Sequence, residues 1–209
     1  MQSVFFDNIF DWMGFNLFLA FVPLVISFIV FNKGLWEGNL IVKPFLYILT
    51  AVFFLFLPNA PYTISDIIHL VRQIKEYRYF KIDDVFITTV LIPQFMVFIF
   101  LGFSCYVISF QKFLFFLNES GVKHKNIVFI KVIVPLFMSV GIFLGRVYRY
   151  STWDIVTHIL LIVKVIINES LNLSFYIYIV YYYTIILIGF EFFTLIYRSI
   201  FKKLFDTSI

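Results

Sequence analysis

The sequence predicts an all-α fold: a polytopic transmembrane helical bundle, one integral membrane domain over residues 1–209. Three observations lead there. Hydrophobic residues make up 62% of the chain, charged residues only 13%, and the mean hydropathy is +0.99; soluble domains sit near half apolar and about a quarter charged. A chain of 209 residues is too short to bury that much apolar surface in a core of its own, which leaves lipid as its solvent. The apolar residues also gather in runs approaching the roughly 20 residues that cross a bilayer.

Five spans are expected, at residues 15–31, 45–57, 85–110, 127–144 and 176–197. Ahead of the first, Met1 to Asp11 carries Asp7 and Asp11 and no Lys or Arg. A secretory signal starts with basic residues, so the first apolar segment is expected to stay in the mature protein. The second span is short unless it begins near Leu40. Pro58 and Pro61 are expected to end it, because proline lacks a donor and restricts its predecessor. Pro23, Pro93 and Pro135 fall inside spans, where bundles accept them as kinks. Cys105, the single cysteine, lies in an apolar run, so no internal disulfide is possible.

Two further stretches are expected to lie at the interface or re-enter. Residues 66–79 place Ile67, Leu70, Val71 and Ile74 on one helical face, with Arg72, Lys75 and Glu76 elsewhere. That is a basic amphipathic helix suited to the headgroups. Residues 154–168 hold an apolar run interrupted by Lys164, too short to span comfortably. Were it to cross, there would be six spans.

With five, the loops after spans two and four lie on the N-terminal side. An outside N-terminus puts eight Lys and Arg on the inner side and seven on the outer, and the first span alone scores two against zero. The expectation is a multi-pass protein of the cell membrane with its N-terminus outside. The net charge of +4 suits loops beside anionic lipid and is weak evidence for nucleic acid.

Those two loops carry the polar motifs. One is Asn59-Ala-Pro-Tyr62 running into Ser65-Asp66 and His69; the other is Gly145-Arg146 through Arg149 to Trp153-Asp154. Asn16, near the start of span one, shares their side. Thr63 to Asp66 and Ser151 to Asp154 both fit capping boxes, so each aspartate has a purely local reading as a helix cap. The functional reading pairs Asp66 with His69, three residues on, as candidate catalytic acid and base. Arg146 and Arg149 are read on one helical face. They either complement the helix dipole or clamp an anion, since a guanidinium offers a planar fork of donors. Asn59, Tyr62, Trp153 and Asp154 complete the candidate ligand-binding set. His69 and His158 beside the two aspartates do not form a recognised metal signature, and no metal or cofactor is assigned. No P-loop, nucleophile elbow or dinucleotide fingerprint is present.

Lys131 and Glu191 sit inside spans four and five at similar depth and are expected to form a structural pair. Gly141 and Gly145, four apart, give span four a small-residue face for close helix packing, ending at Arg146.

Three motifs in order carry a family resemblance: Asn16-Leu-Phe-Leu-Ala20 with Pro23; Phe56-Leu-Pro-Asn-Ala-Pro-Tyr62 with Asp66 and His69-Leu70; and Gly145-Arg146 with Arg149, Trp153 and Asp154. Together they resemble domain-of-unknown-function family 1361 over nearly the whole chain. Ser65 stands where the family pattern has Thr, and Ser151-Thr152 where it has Asn-Ser. The resemblance implies a bacterial integral membrane protein and no assigned activity. The leading functional expectation is a non-enzymatic protein binding an anionic lipid headgroup or small anion on the motif face. The alternatives are an enzyme acting on a lipid-linked substrate, or a small transporter. Oligomeric state stays open.

Overall fold

The structure, a computed structural model, describes residues 12–38 and 41–200, the last three by backbone alone. Seven helices organise it: α1 Gly14–Val30, α2 Lys43–Phe56, α3 Ile67–Tyr79, α4 Ile92–Glu119, α5 His124–Val147, α6 Ile159–Glu169 and α7 Leu173–Ile200. Shorter turns join them, and no strand occurs among the described residues. Four helical runs are long and apolar enough to cross a membrane: Lys43–Tyr79, Asp84–Glu119, His124–Val147 and Leu173–Tyr197. The apolar α1 is shorter, at 17 residues. The segment Met1 to Asp11, Leu40, and the basic residues Lys202 and Lys203 lie outside the described residues.

The prolines after α2 do not stop the helical course. Residues 43 to 79 form one 37-residue run that bends through the single-turn helix Asn59–Tyr62 and the 3-10 turn Thr63–Asp66. Each proline lacks a backbone donor, and side chains bond carbonyls along the bend. Asn59 Nδ2 donates to Phe56 O at 3.0 Å, Thr63 Oγ1 to Ala60 O at 2.9 Å and Ser65 Oγ to Tyr62 O at 2.7 Å. The Thr63–Asp66 capping box is therefore absent: the threonine hydroxyl points backward, and Asp66 points into the protein. Beyond the bend, α3 is amphipathic, but only part of its expected face packs. Leu70 and Ile74 sit on the cluster of Met13, Ile87, Leu91, Phe95 and Phe98, whereas Ile67 and Val71 are half exposed.

The next run begins at Asp84, and its first full turn is a π-turn at Ile87–Leu91. The Ile92 amide reaches back to Ile87 O just ahead of Pro93, so the wider turn fits the proline into the run. α4 then extends to Glu119, beyond the expected end at 110.

α5 and α7 are antiparallel neighbours. Near one end, Phe143 packs edge-to-face on Phe175, with centroids 4.9 Å apart; near the other, Lys131 Nζ lies 2.6 Å from Glu191 Oε1. Between them the chain forms Asp154–Thr157, breaks at His158 and continues as the 11-residue α6. The Tyr148 hydroxyl before this excursion donates to Glu169 at its close. The excursion thus leaves and rejoins the same end of α5, and the four long runs with the shorter α1 make five lengthwise passes.

The core centres on α4. Phe103, Tyr106 and Phe110 are fully buried, and Tyr106 and Phe110 meet Phe190 of α7 at centroid distances of 5.7 and 5.4 Å. On the α1–α2 side, Phe31 packs on Phe53 at 4.8 Å and on Phe113 at 4.9 Å. Between apolar helices in lipid the hydrophobic drive is weak, so close fit carries the packing. Two glycines mark the tightest places. A Cβ at Gly102 would fall 2.4 Å from the Thr63 side chain, and one at Gly189 would fall 2.5 Å from the Phe103 ring. Outward faces remain apolar, with Phe18, Phe137 and Ile188 all about two-thirds exposed.

Candidate functional site

The bundle end where α1 begins, the second run bends and α5 stops gathers most of the motif residues. Arg146, in the last turn of α5, turns inward. Its Nη2 donates to Asp66 Oδ1 at 2.8 Å and to Ser65 Oγ at 2.7 Å, and its Nη1 lies 3.1 Å from His69 Nε2. Its guanidinium stands 5.1 Å from the Tyr62 ring centroid. Asn16, from the first turn of α1, donates to the other carboxylate oxygen of Asp66 at 3.3 Å.

Both charges are withdrawn from solvent: the Asp66 side chain is 2% exposed and that of Arg146 14%. A buried carboxylate is stable only when paired and hydrogen-bonded, and both oxygens of Asp66 are occupied. A guanidinium can only donate, so His69 Nε2 must accept. The imidazole is thereby neutral, with its proton on Nδ1. Its ring also packs against Trp12 at 5.2 Å. The nearest His69 nitrogen is 3.9 Å from Asp66, too far for a hydrogen bond. Asp66 does not orient the imidazole; the two meet at Arg146. The Arg146 Nε is buried without a partner among the described residues.

The second motif's loop docks onto the first. Asn59 Nδ2 donates to Thr152 Oγ1 at 3.0 Å, and Trp153 packs edge-to-face on Phe56. Asp154 accepts from the Ser151 amide at 2.6 Å and the Ser151 hydroxyl at 2.8 Å. Those two donors hold its carboxyl below the ordinary carboxylate range. Asp154 thus secures its own turn, as the capping-box reading expects, while Asp66 does not. His158 stands 3.6 Å from Asp154 on that turn. Among the described residues, no group of three or more His, Cys, Asp and Glu side chains gathers as a metal site would require.

Arg146 and Arg149 do not share a helical face. α5 ends at Val147, and Arg149 takes a left-handed backbone conformation with φ 57°. It is exposed and makes no ion pair within the described residues. The two glycines act where expected, under the motif. Gly141 faces Pro58 and Gly145 faces the Tyr62 ring, and a Cβ at either would approach to 3.2 Å. Close approach of α5 to the bend is what brings Arg146 to Asp66.

Between these groups lies a cleft of about 560 Å³. Asn16, Asn59, Tyr62, His69, Arg146 and Arg149 supply its polar lining, and Leu19, Leu55, Leu144 and Ile162 its apolar wall. A second cleft of about 440 Å³ opens between α1 and α4 and is almost wholly apolar, lined by Leu17, Pro93, Val97 and Leu101. It shares no lining residue with the polar cleft. Sequence reasoning overlooked the parts of Ser65, Thr152 and Trp12. Trp12, an aromatic just ahead of the first apolar run, was the one with a readable signal.

Fold and site together define a membrane-type helical bundle with a polar cleft at one end. The family described as "Protein of unknown function (DUF1361)" has a model that matches residues 15–189, and the chain belongs to that family. No curated protein and no solved structure matches it.

Proposed function

We propose that this protein binds the anionic headgroup of a membrane amphiphile in the cleft at its motif face, without catalysing a reaction. The observation that carries the reading is Arg149. It is an exposed cation with no ion pair among the described residues, lining a cleft that holds both polar and apolar side chains. The charge of Arg146 is offset by Asp66, so Arg146 serves to fix Tyr62, Ser65 and His69 in place. Asn16 and the His69 Nδ1 proton offer neutral hydrogen bonds, Asn59 holds the Thr152 loop that borders the cleft, and the leucine side chains suit an acyl chain. An acid–base role for Asp66 and His69 is the weaker reading, since both are engaged by Arg146. A bacterial cell membrane as the location, with the motif face outward, belongs to the same proposal.

The test is binding of the purified protein to vesicles of phosphatidylglycerol against phosphatidylcholine. Arg149→Ala is expected to weaken phosphatidylglycerol binding about tenfold, the order of one charge-assisted hydrogen bond. Unchanged binding in that variant overturns the proposal.

A further inference from the structure

We propose that two copies of this chain associate in the membrane through the outer seam of α5 and α7, their Lys131–Glu191 pairs closing into a ring of four charges. The pair lies well inside its helices. Lys131 is seven residues past the start of α5 and Glu191 nine before the end of α7, roughly 10 and 13 Å along the axes at about 1.5 Å per residue. The lysine is held by the carboxylate at 2.6 Å and lies over the Phe190 ring at 5.3 Å. Yet the glutamate side chain is 57% exposed and the lysine 30%. They sit on a surface whose other members, Val128, Phe129 and Val132 on α5 and Ile188 and Leu195 on α7, are exposed and apolar.

An ion pair half open to hydrocarbon is costly, and intramembrane charges as a rule face protein or water. The pair is its own complement. A two-fold axis along the membrane normal preserves depth and reverses left and right. Because Lys131 and Glu191 stand side by side at one level, a second copy so related sets its glutamate against the first copy's lysine, and its lysine against the glutamate. This is the self-matching contact of an isologous interface. A partner of unrelated sequence would need the same two charges at the same depth in reversed order; a second copy supplies them automatically.

The test exchanges the two residues within one chain, Lys131→Glu with Glu191→Lys. This variant keeps the pair within each copy and reverses it toward a partner. The wild-type and exchanged chains carry different tags and are co-expressed in the Cys105→Ser background. Each carries a cysteine in place of Ile188, and they are cross-linked in native membranes. Wild type should cross-link to wild type and exchanged to exchanged, with mixed pairs about tenfold rarer because like charges then face each other. Mixed pairs as frequent as like pairs, or no cross-linking in wild type, overturn the proposal.

Discussion

Arg146 and Arg149 are three residues apart and alike in chemistry, yet they have opposite roles. Arg146 is spent inside the protein on Asp66, Ser65 and His69; Arg149 is left at the rim. If the buried pair is structural, removing either half leaves the other uncompensated. Arg146→Ala and Asp66→Ala should each destabilise by about 3–5 kcal/mol. The double variant should cost clearly less than the sum, as expected of residues in direct contact. Unfolding of the purified protein in a mixed-detergent titration checks this, and strict additivity would refute the coupling. The sequence led to the right residues here but not to their partners. Thr63 to Asp66 matches a capping box, a local pattern, and nothing local shows that a guanidinium 80 residues away claims the carboxylate. Asp154 keeps the local role because its donors are on Ser151, three residues back.

At the scale of the element, the bend between α2 and α3 organises the site. Pro58 and Pro61 bend the run, side chains of Asn59, Thr63 and Ser65 bond the carbonyls of Phe56, Ala60 and Tyr62 along it, and the resulting surface receives α4 on one side and α5 on the other. Gly102 is where α4 comes closest. Gly102→Ala would force the short, branched Thr63 side chain to shift, and should destabilise by about 1–3 kcal/mol despite alanine's better helix propensity. Gly34→Ala, where a Cβ would meet nothing closer than 3.5 Å, should change stability by less than about 1 kcal/mol. Thermal unfolding of both variants separates the cases; an unaffected Gly102→Ala would mean the contact relaxes freely. The sequence marked the prolines as an ending, since their missing donors argue against continuation. The side-chain bonds that carry the chain through the bend each reach back only three residues, but helix propensity alone does not reveal them.

For the whole molecule, the five passes put both motifs at one end and the α4–α5 turn at the other. Single cysteines at Gln73 and Thr157, in a Cys105→Ser background, should label from one side of the membrane, and one at Lys123 from the opposite side. Labelling of Gln73 and Thr157 from different sides would break the shared cleft apart. This level of organisation was the most legible in advance. Apolar runs give the number of passes, their parity puts the two motif loops together, and counting residues from the helix ends puts Lys131 beside Glu191. The cleft was less legible, because its shape depends on where glycines let helices touch.

The link from Asp66 to Arg146 also sets an order on biosynthesis. The carboxylate leaves the ribosome 80 residues before the guanidinium that balances it. At about 5–20 residues per second that gap lasts roughly 4–16 s. Through that interval Asn16, already made, can hydrogen-bond Asp66 but cannot balance its charge, so the acid waits in the nascent bundle without its partner. Arrival of α5 then supplies the counter-charge, and the residues that follow it, Arg149 to Ile162, complete the cleft only after that link can form.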